Sequence, residues 1–325
     1  MCPGPLREPV EPLRVTLADV ESALDPVREV AVHTPAITFP GEDRDDLILK
    51  LENLQRLGAF KIRGAWNRMS RLSEAERRRG VTTISSGNHG FAVAWSARRL
   101  GLPCVVRVPE GATGRKVDNI RSQGASVVQM ARADLVRAHE EELWRSWPET
   151  FVYPFAHADI IAGQGTIGWE LAEDAPEVRT VLVPVGGGGL SSGIAIALKG
   201  RLPKVKVYGV QAAGAAPLPT VLSTKRPYRV DDPRTIADGI GIGLILPAMA
   251  ELLLRNLDGC LVVSDEEIRV AMRRLALEAK VVAEPAGAAA FAAWTRFRET
   301  LEPPVAAIVS GGNADPGLLS EVLRI

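Results

Sequence analysis

Lys61 is the first residue whose surroundings could support chemistry. It lies between Phe60 and Ile62 in the segment GAFKIRGA at 58–65, which is otherwise suited to a buried element. Burial disfavours the charged form of an amine and lowers its pKa, which makes Lys61 a candidate Schiff-base nucleophile. Taken alone, a lysine is more often a solvated surface residue whose stem covers apolar groups. The interpretation therefore depends on the other segments.

A second polar segment, SSGNHG at 85–90, follows a short apolar run and opens an amphipathic one. Ser85, Ser86, Asn88 and His89 would then lie together at the N-terminus of a helix, where side chains and backbone N–H groups suit a carboxylate. The alternative is that Ser86 or Asn88 only caps the helix and that His89 is structural. Together with Lys61, the segment indicates a pocket for an anionic small molecule.

The third segment is the glycine run GGGGLSSG at 186–193, between a predicted strand and a predicted helix. Backbone N–H groups without Cβ atoms can surround a phosphate at a helix N-terminus. The four candidate phosphate-binding residues are Gly186, Gly187, Gly188 and Gly189. A flexible turn is the plain alternative. A dinucleotide site fits less well, because Ser192 replaces the third glycine of GxGxxG and the next strand ends at Gln211 instead of an acidic residue.

Composition favours a folded protein that binds a small molecule. The chain has 325 residues and is 46% hydrophobic, enough for a substantial core. Its 39 basic and 39 acidic side chains cancel, so no field of one sign exists to attract nucleic acid or an anionic membrane. No apolar stretch has the length of a signal peptide or a membrane span. We expect a cytoplasmic protein.

The cysteines support the same expectation. Cys2, Cys104 and Cys260 are widely spaced, with no CxxC pair. Neither a disulfide framework nor a zinc site is indicated, and a reducing compartment fits.

The polar segments lie within a repeating strand and helix pattern, which predicts an α/β fold with doubly wound parallel sheets. A first series alternates apolar runs with amphipathic segments over 81–147, ending in a predicted helix at 134–147. A second series comprises RTVLVPV at 179–185, KVKVYGVQ at 204–211 and PPVAAIVS at 303–310. The segment 208–246 is predicted to form loops and short helices.

Seven ordered motifs together resemble the serine/threonine dehydratase and serine racemase family of fold type II pyridoxal-phosphate enzymes, which are similar to the tryptophan synthase β chain. The motifs are GAFKIRGA at 58–65, SSGNHG at 85–90, AGQGT at 162–166, VPVGGGG at 183–189, TIADGIG at 235–241, EPAGA at 284–288 and SGGN at 310–313. The resemblance covers nearly the whole chain.

The resemblance implies two domains with the cofactor, pyridoxal 5'-phosphate, between them. The large domain would comprise 1–79 and 156–325, and a small mobile domain would comprise 80–155. We expect no C-terminal regulatory domain of the kind that some biosynthetic relatives carry. A homodimer is expected, and closure of the small domain would exclude water from the site.

The resemblance also implies roles for the candidate residues. Lys61 would carry the cofactor and Phe60 would flank its ring. Asn88 would meet the 3-hydroxyl group, Gly186 to Gly189 would hold the phosphate, and Ser310 would face the pyridine nitrogen. The substrate would be bound by Ser85, Ser86, Asn88 and His89.

The implied reaction is β-elimination from L-threonine or L-serine, which yields a 2-oxo acid and ammonia after Lys61 removes the Cα proton. One alternative is a serine racemase or 3-hydroxyaspartate dehydratase in which Ser86 is a second acid/base. A non-catalytic protein that kept the fold is the alternative outside enzymes.

Several positions depart from the family pattern. Ser86 replaces the alanine of many threonine dehydratases, which leaves racemisation open, whereas Phe155 and Ile242 resemble dehydratases. Ala59 replaces a usual serine, which leaves the substrate side chain open. Arg137 matches a domain-closing arginine of racemases or is simply a solvated charge.

Many relatives hold a divalent cation with two acidic side chains after the strand that ends at Gln211. This chain has Gln211 and Pro217 at those positions. Magnesium and calcium need anionic oxygen ligands, so we expect no metal at this place.

Overall fold

The computed structural model describes residues 13–40, 46–112 and 114–324. Cys2 and the rest of 1–12, the start of the predicted large domain, lie outside the described residues. The strands within the described ranges are β1 Ala36–Thr38, β2 Leu47–Lys50, β3 Val81–Ile84, β4 Cys104–Pro109, β5 Ser126–Met130, β6 Thr150–Phe151, β7 Thr180–Pro184, β8 Lys206–Ala212, β9 Tyr228–Arg229, β10 Leu244–Ile245, β11 Gly259–Val263 and β12 Val305–Ile308.

Helices connect most of these strands, as parallel pairing requires. Those in the described ranges are α1 Leu17–Arg28, α2 Lys61–Ser70, α3 Glu74–Arg79, α4 Asn88–Leu100, α5 Gly114–Arg121, α6 Arg132–Glu140, α7 Ala158–Asp174, α8 Gly189–Arg201, α9 Leu218–Thr224, α10 Pro247–Asn256, α11 Asp265–Leu277, α12 Pro285–Phe297 and α13 Pro316–Arg324. Among the described helices, none combines the length and the apolar character that a membrane span requires.

Two parallel sheets organise the described part of the chain. The larger has the order β1-β2-β12-β7-β8-β11, and only the edge strand β1 pairs in the antiparallel direction. The smaller has the order β5-β4-β3-β6 and is parallel throughout. Strands β2, β3, β7 and β12 are buried along their whole length, as sheets covered on both faces require. The predicted α/β fold is confirmed.

Two local predictions were wrong. The predicted helix at 134–147 ends at Glu140, because Glu142 adopts a left-handed φ of 54° that interrupts it before a 3-10 turn at Leu143–Ser146. The segment 208–246 also contains a two-stranded antiparallel sheet of β9 and β10, which its weak periodicity did not reveal. The division at residues 80 and 155 stays a prediction, although the smaller sheet is formed within 81–151.

The helix that begins at Lys61 is anchored by the buried side chain of Arg63. Its guanidinium donates to both carboxylate oxygens of Glu52, at 2.9 and 2.8 Å, and to both of Glu170, at 2.6 and 2.9 Å. Lys50 continues the network, with its Nζ 2.9 Å from Glu170 and 2.9 Å from Asp174. The network joins α2 to α7 and to the end of β2.

We expect Arg63→Met to lower the free energy of unfolding by about 3–5 kcal/mol, because it leaves the buried carboxylate of Glu52 without its cation. Urea unfolding measures the change. Arg78→Ala is the matched control, since Arg78 pairs with Glu74 on the exposed surface and its loss should cost less than about 1 kcal/mol. Similar small losses in both variants would contradict a role for the network in anchoring α2.

Candidate active site

A cavity of about 380 Å³ lies where strands of both sheets end. Its walls include Ser85 directly after β3, Pro109 at the end of β4 and Pro184 at the end of β7. The carboxyl ends of parallel strands are the usual place for ligands in α/β folds. All the sequence-predicted site residues line this one cavity: Phe60, Lys61, Ser85, Ser86, Asn88, His89, Gly186, Gly187, Gly188, Gly189 and Ser310.

Lys61 is the first residue of α2, and its remaining exposed surface meets the cavity. Its Nζ donates a hydrogen bond to the carbonyl oxygen of Pro154 at 2.9 Å and lies 5.1 Å from the centre of the Phe60 ring. Burial lowers the pKa of the amine to about 8, against a smaller opposing effect of the Glu284 charge. About a tenth of the amine is then neutral at pH 7, far more than for an ordinary lysine, and the neutral form is the one that a nucleophile or base requires.

The glycine run forms a turn that an ordinary side chain would block. Gly188 has a φ of +93° and precedes α8, whose N-terminus lacks a side-chain cap. A Cβ on Gly187 would lie 2.5 Å from the Phe155 ring. Uncapped N–H groups at the start of a helix attract anions. The turn therefore suits a phosphate group.

The loop after β3 presents Ser86 to the cavity without tying it to the helix. The residue before α4 is Gly87, and no side chain caps this helix. Ser85 Oγ instead accepts from the N–H of Gly87 at 3.2 Å. The alternative that Ser86 caps α4 was therefore wrong, and its hydroxyl remains available to a ligand.

Asn88 is held in one orientation by partners far away in the sequence. Its Nδ2 donates to Glu284 Oε1 at 2.7 Å, while its Oδ1 accepts from Asn313 Nδ2 at 2.8 Å. Asn313 also donates to the carbonyl of Leu57 at 2.7 Å. This chain of hydrogen bonds connects the loop after β3 to the segments that precede α2 and follow β12.

Glu284 is a site residue that sequence reasoning left without a role. Burial, and then the charge of Asp238, raises the pKa of its carboxyl group to about 7. Asp238 pairs with Lys116 of α5 at the same cavity. The EPAGA motif contained Glu284, but only the fold shows that it meets Asn88.

His89 has a partner in the protein. It is 2% exposed, and its Nε2 lies 3.1 Å from the carbonyl oxygen of Val152, to which it donates. Burial, and then the charge of Lys61, lowers its pKa to about 3. Its side chain is therefore neutral and fixed, which limits what it can offer a substrate carboxylate.

Ser310 lines the cavity, whereas Gln211 is buried outside its lining. Ser310 is 3% exposed, and its Oγ is 3.5 Å from the carbonyl oxygen of Ala286. The buried Gln211 donates to the carbonyl of Val185 at 3.2 Å and accepts from the N–H of Leu218 at 2.8 Å. Its amide thus connects the residue before the glycine run to α9. In the described ranges, no group of three acidic, histidine or cysteine side chains could hold a metal ion.

The positions that depart from the family pattern are also located. Phe155 packs on the glycine turn, and Ile242 lines the cavity mouth with 36% of its surface exposed. Arg137 is exposed and pairs with Asp134 and Glu141 of its own helix region, which favours the solvated charge.

The residues present fit pyridoxal phosphate. A half-buried lysine with a lowered pKa, a glycine turn at an uncapped helix and a buried hydroxyl at Ser310 converge on one cavity. These features suit a covalent attachment point, a phosphate site and a neutral partner for a ring nitrogen.

Comparison with known proteins agrees with this fit. L-threonine ammonia-lyase of Thermotoga maritima is 39% identical over 317 residues, which is 95% of this chain and 78% of that protein. Serine racemase of Schizosaccharomyces pombe is 35% identical over 92% of this chain and 94% of that one. The solved structure of maize serine racemase matches with a TM-score of 0.87 and 29% identity, over 96% of this chain and 98% of that chain.

The family model described as "Pyridoxal-phosphate dependent enzyme" matches residues 28–311. That range includes every motif except the last residues of SGGN, and it spans both sheets. The chain belongs to the pyridoxal-phosphate dependent enzyme family.

Proposed function

We propose that the protein is a dehydratase, or ammonia-lyase, which converts L-threonine or L-serine to a 2-oxo acid and ammonia. The observation that carries the proposal is the amine of Lys61, with its lowered pKa, in a cavity shared with the glycine turn and the uncapped N-terminus of α4. The similarity to an L-threonine ammonia-lyase and to catabolic L-threonine dehydratases supports it.

The cofactor would be held by residues on three sides. Lys61 would attach it, Phe60 would flank its ring, Gly186 to Gly189 would bind its phosphate, and Ser310 and Asn88 would meet its ring nitrogen and 3-hydroxyl group. When bound, pyridoxal phosphate supplies an electron sink for the negative charge left at Cα. The neutral hydroxyl of Ser310 would not hold the ring nitrogen protonated, which favours rapid elimination over a long-lived carbanion.

The substrate carboxylate would bind at the start of α4. Ser85 and Ser86 lie there beside backbone N–H groups at the positive end of the helix dipole. Asn88, which would meet the 3-hydroxyl group of the cofactor, also donates to Glu284, and His89 donates to Val152, so we assign neither of them to the substrate carboxylate. Lys61, freed by the substrate amine, would then take the proton from Cα.

A racemase is the second candidate, and the free hydroxyl of Ser86 favours it. Ser86 lines the cavity, and no helix cap occupies its side chain. It could return a proton to the face of Cα opposite Lys61. The similarity to serine racemases at 35% identity supports this alternative. A non-catalytic protein is a weaker candidate, because the chain retains both Lys61 and the burial that lowers its pKa.

We also propose that 80–155 forms a small domain that moves against 1–79 and 156–325. The separate smaller sheet, formed within 81–151, supports this division. Two ion pairs join the parts, Lys116 with Asp238 at the cavity and Glu140 with Arg229. A homodimer in the cytoplasm is proposed as well. The free thiols of Cys104 and Cys260 are compatible with a reducing compartment.

Replacing Lys61 tests the dehydratase directly. Lys61→Ala should remove the visible absorbance band of the bound cofactor and lower kcat/KM for L-threonine by more than about 10³-fold, because attachment point and base are both lost. Lys206→Ala, at an exposed lysine paired with Glu302, is the control and should behave as the unaltered protein. If Lys61→Ala still forms the 2-oxo acid, the proposed dehydratase mechanism is wrong.

Ser86→Ala separates the two candidate activities. The variant should form pyruvate from L-serine at a rate within about tenfold of the unaltered enzyme, since Lys61 alone removes the Cα proton in the elimination. It should form none of the D-serine that the unaltered enzyme makes. Chiral chromatography and a keto-acid assay measure both products. Equal loss of both products would argue against a second acid/base at Ser86, and absence of D-serine from the unaltered enzyme would remove the racemase candidate.

Glu284→Gln tests the protonation of the buried carboxyl group. Its pKa rises from 4.5 to about 7 on folding, so the stability gained from the neutral form is present below pH 4.5 and is lost as pH rises through 7. Relative to the unaltered cofactor-free protein, the variant should gain up to about 3 kcal/mol of unfolding free energy between pH 4.5 and 8. Urea unfolding reads this difference.

The matched control is Glu74→Gln, at an exposed carboxylate, whose stability difference should stay constant over this pH range. If the Glu284 variant gives the same flat profile, the carboxyl group is ionised throughout.

A further inference from the structure

His139 is a cavity residue for which neither the motifs nor the proposed reaction has a role. It lies in the last turn of α6 and points inward, against the aromatic rings of Phe151, Tyr153 and Phe155. The Phe155 ring is stacked on the imidazole at an interplanar angle of 27°. The ring therefore has a fixed position in the wall of the cavity.

The imidazole forms no hydrogen bond with any described residue. Its Nδ1 is shielded from solvent and has no partner within the described part of the chain. His89 and Gln164 also line the cavity, and each has one buried atom without a partner. Unlike His139, each of them makes a hydrogen bond with the protein through another atom. A buried polar group without a partner costs free energy and needs an explanation. The other nitrogen, Nε2, has no partner among the described residues either and is not among the shielded atoms, so it is the atom through which a ligand in the cavity can bind.

His139 is close to the reacting end of the cavity. The segment before α7 connects His139 to Lys61. Lys61 donates to the carbonyl of Pro154, and the ring of the next residue, Phe155, lies 6.5 Å from the imidazole between ring centres. Phe155 also packs against Gly187 of the glycine turn. The imidazole thus lies beside the segment shared by the proposed base and the proposed phosphate site.

The ring is suited to a hydroxyl group. Burial lowers the pKa of His139 to about 4, so the ring is neutral at physiological pH. The unshielded Nε2 of a neutral imidazole either donates or accepts, according to the tautomer, and a hydroxyl group can take either role. In the proposed function the substrate carboxylate has the N-terminus of α4, which leaves the β-hydroxyl group for His139.

From these observations we infer that His139 binds the β-hydroxyl group of the amino-acid substrate and selects for substrates that carry one. The inference rests on the proposed elimination of β-hydroxy amino acids. His139 would act by hydrogen bonding to the leaving oxygen, with no proton transfer required from the ring.

The test compares two substrates that differ in the leaving group. L-Serine and β-chloro-L-alanine share the amine and carboxylate, but chloride is a poor hydrogen-bond acceptor. His139→Phe preserves a flat ring that fits among aromatic neighbours and removes both nitrogens. We expect it to lower kcat/KM for L-serine about 10- to 100-fold relative to β-chloro-L-alanine, the size of one lost hydrogen bond in a shielded site.

Two further variants separate recognition from packing. His139→Asn keeps a donor and an acceptor and should restore part of the preference for L-serine. Phe151→Leu loosens the same aromatic cluster at a residue that does not line the cavity. It should lower stability without changing the ratio of the two substrates. All variants are assayed as holoenzymes, with the cofactor absorbance band and the Kd for pyridoxal phosphate as additional readouts.

Two results would overturn the inference while leaving the proposed function intact. Equal loss on both substrates would make His139 a structural residue, and a raised Kd for pyridoxal phosphate with an unchanged substrate ratio would place it on the cofactor. If the unaltered holoenzyme forms no 2-oxo acid from L-serine or L-threonine, the proposed function itself fails, and the inference about His139 fails with it.

Discussion

The site depends on one buried cation, Arg63. Its guanidinium is desolvated, a large cost that only close carboxylates offset, and Glu52 and Glu170 supply two oxygens each. The partners come from the end of β2 and from α7, so the first turn of α2 cannot shift without breaking several charged hydrogen bonds. Lys61 stands two residues before Arg63, at the start of that turn. The position of the reactive amine therefore depends on an ion pair network whose members do not line the cavity.

Burial opposes charge in the interior of the cavity. It lowers the pKa of Lys61 and raises that of Glu284, and each group's charge only partly opposes the effect on the other. The buried histidines, His89 and His139, are neutral for the same reason. In such surroundings, the positive ends of α4 and α8 attract anions. Under the proposed function, the substrate carboxylate would bind at α4 and the cofactor phosphate at α8, in the cavity that Lys61 also lines.

The sequence predicted the elements of this site better than their connections. The glycine run, the SSGNHG segment and Lys61 each carry a local signal, because their chemistry depends on neighbours within a few residues. Glu284 and Asn313 meet Asn88 from 196 and 225 residues away, and no local pattern encodes such contacts. His139 looks like part of an ordinary amphipathic helix, and only the aromatic residues at 151, 153 and 155 give it a distinct environment. The helix predicted to reach residue 147 failed because the backbone at Glu142 turns left-handed, which its hydrophobic spacing does not reveal.

The side chain of Gln211 supports the residue that precedes the glycine turn. An amide that bridges Val185 and Leu218 is covalently part of the chain and is always present at full occupancy. An ion at a comparable position would be bound to a degree that depends on its concentration, and the conformation of the turn would depend on whether the ion is bound. In this protein the hydrogen bonds beside the turn are instead formed when the polypeptide folds, and they do not depend on the concentration of an ion.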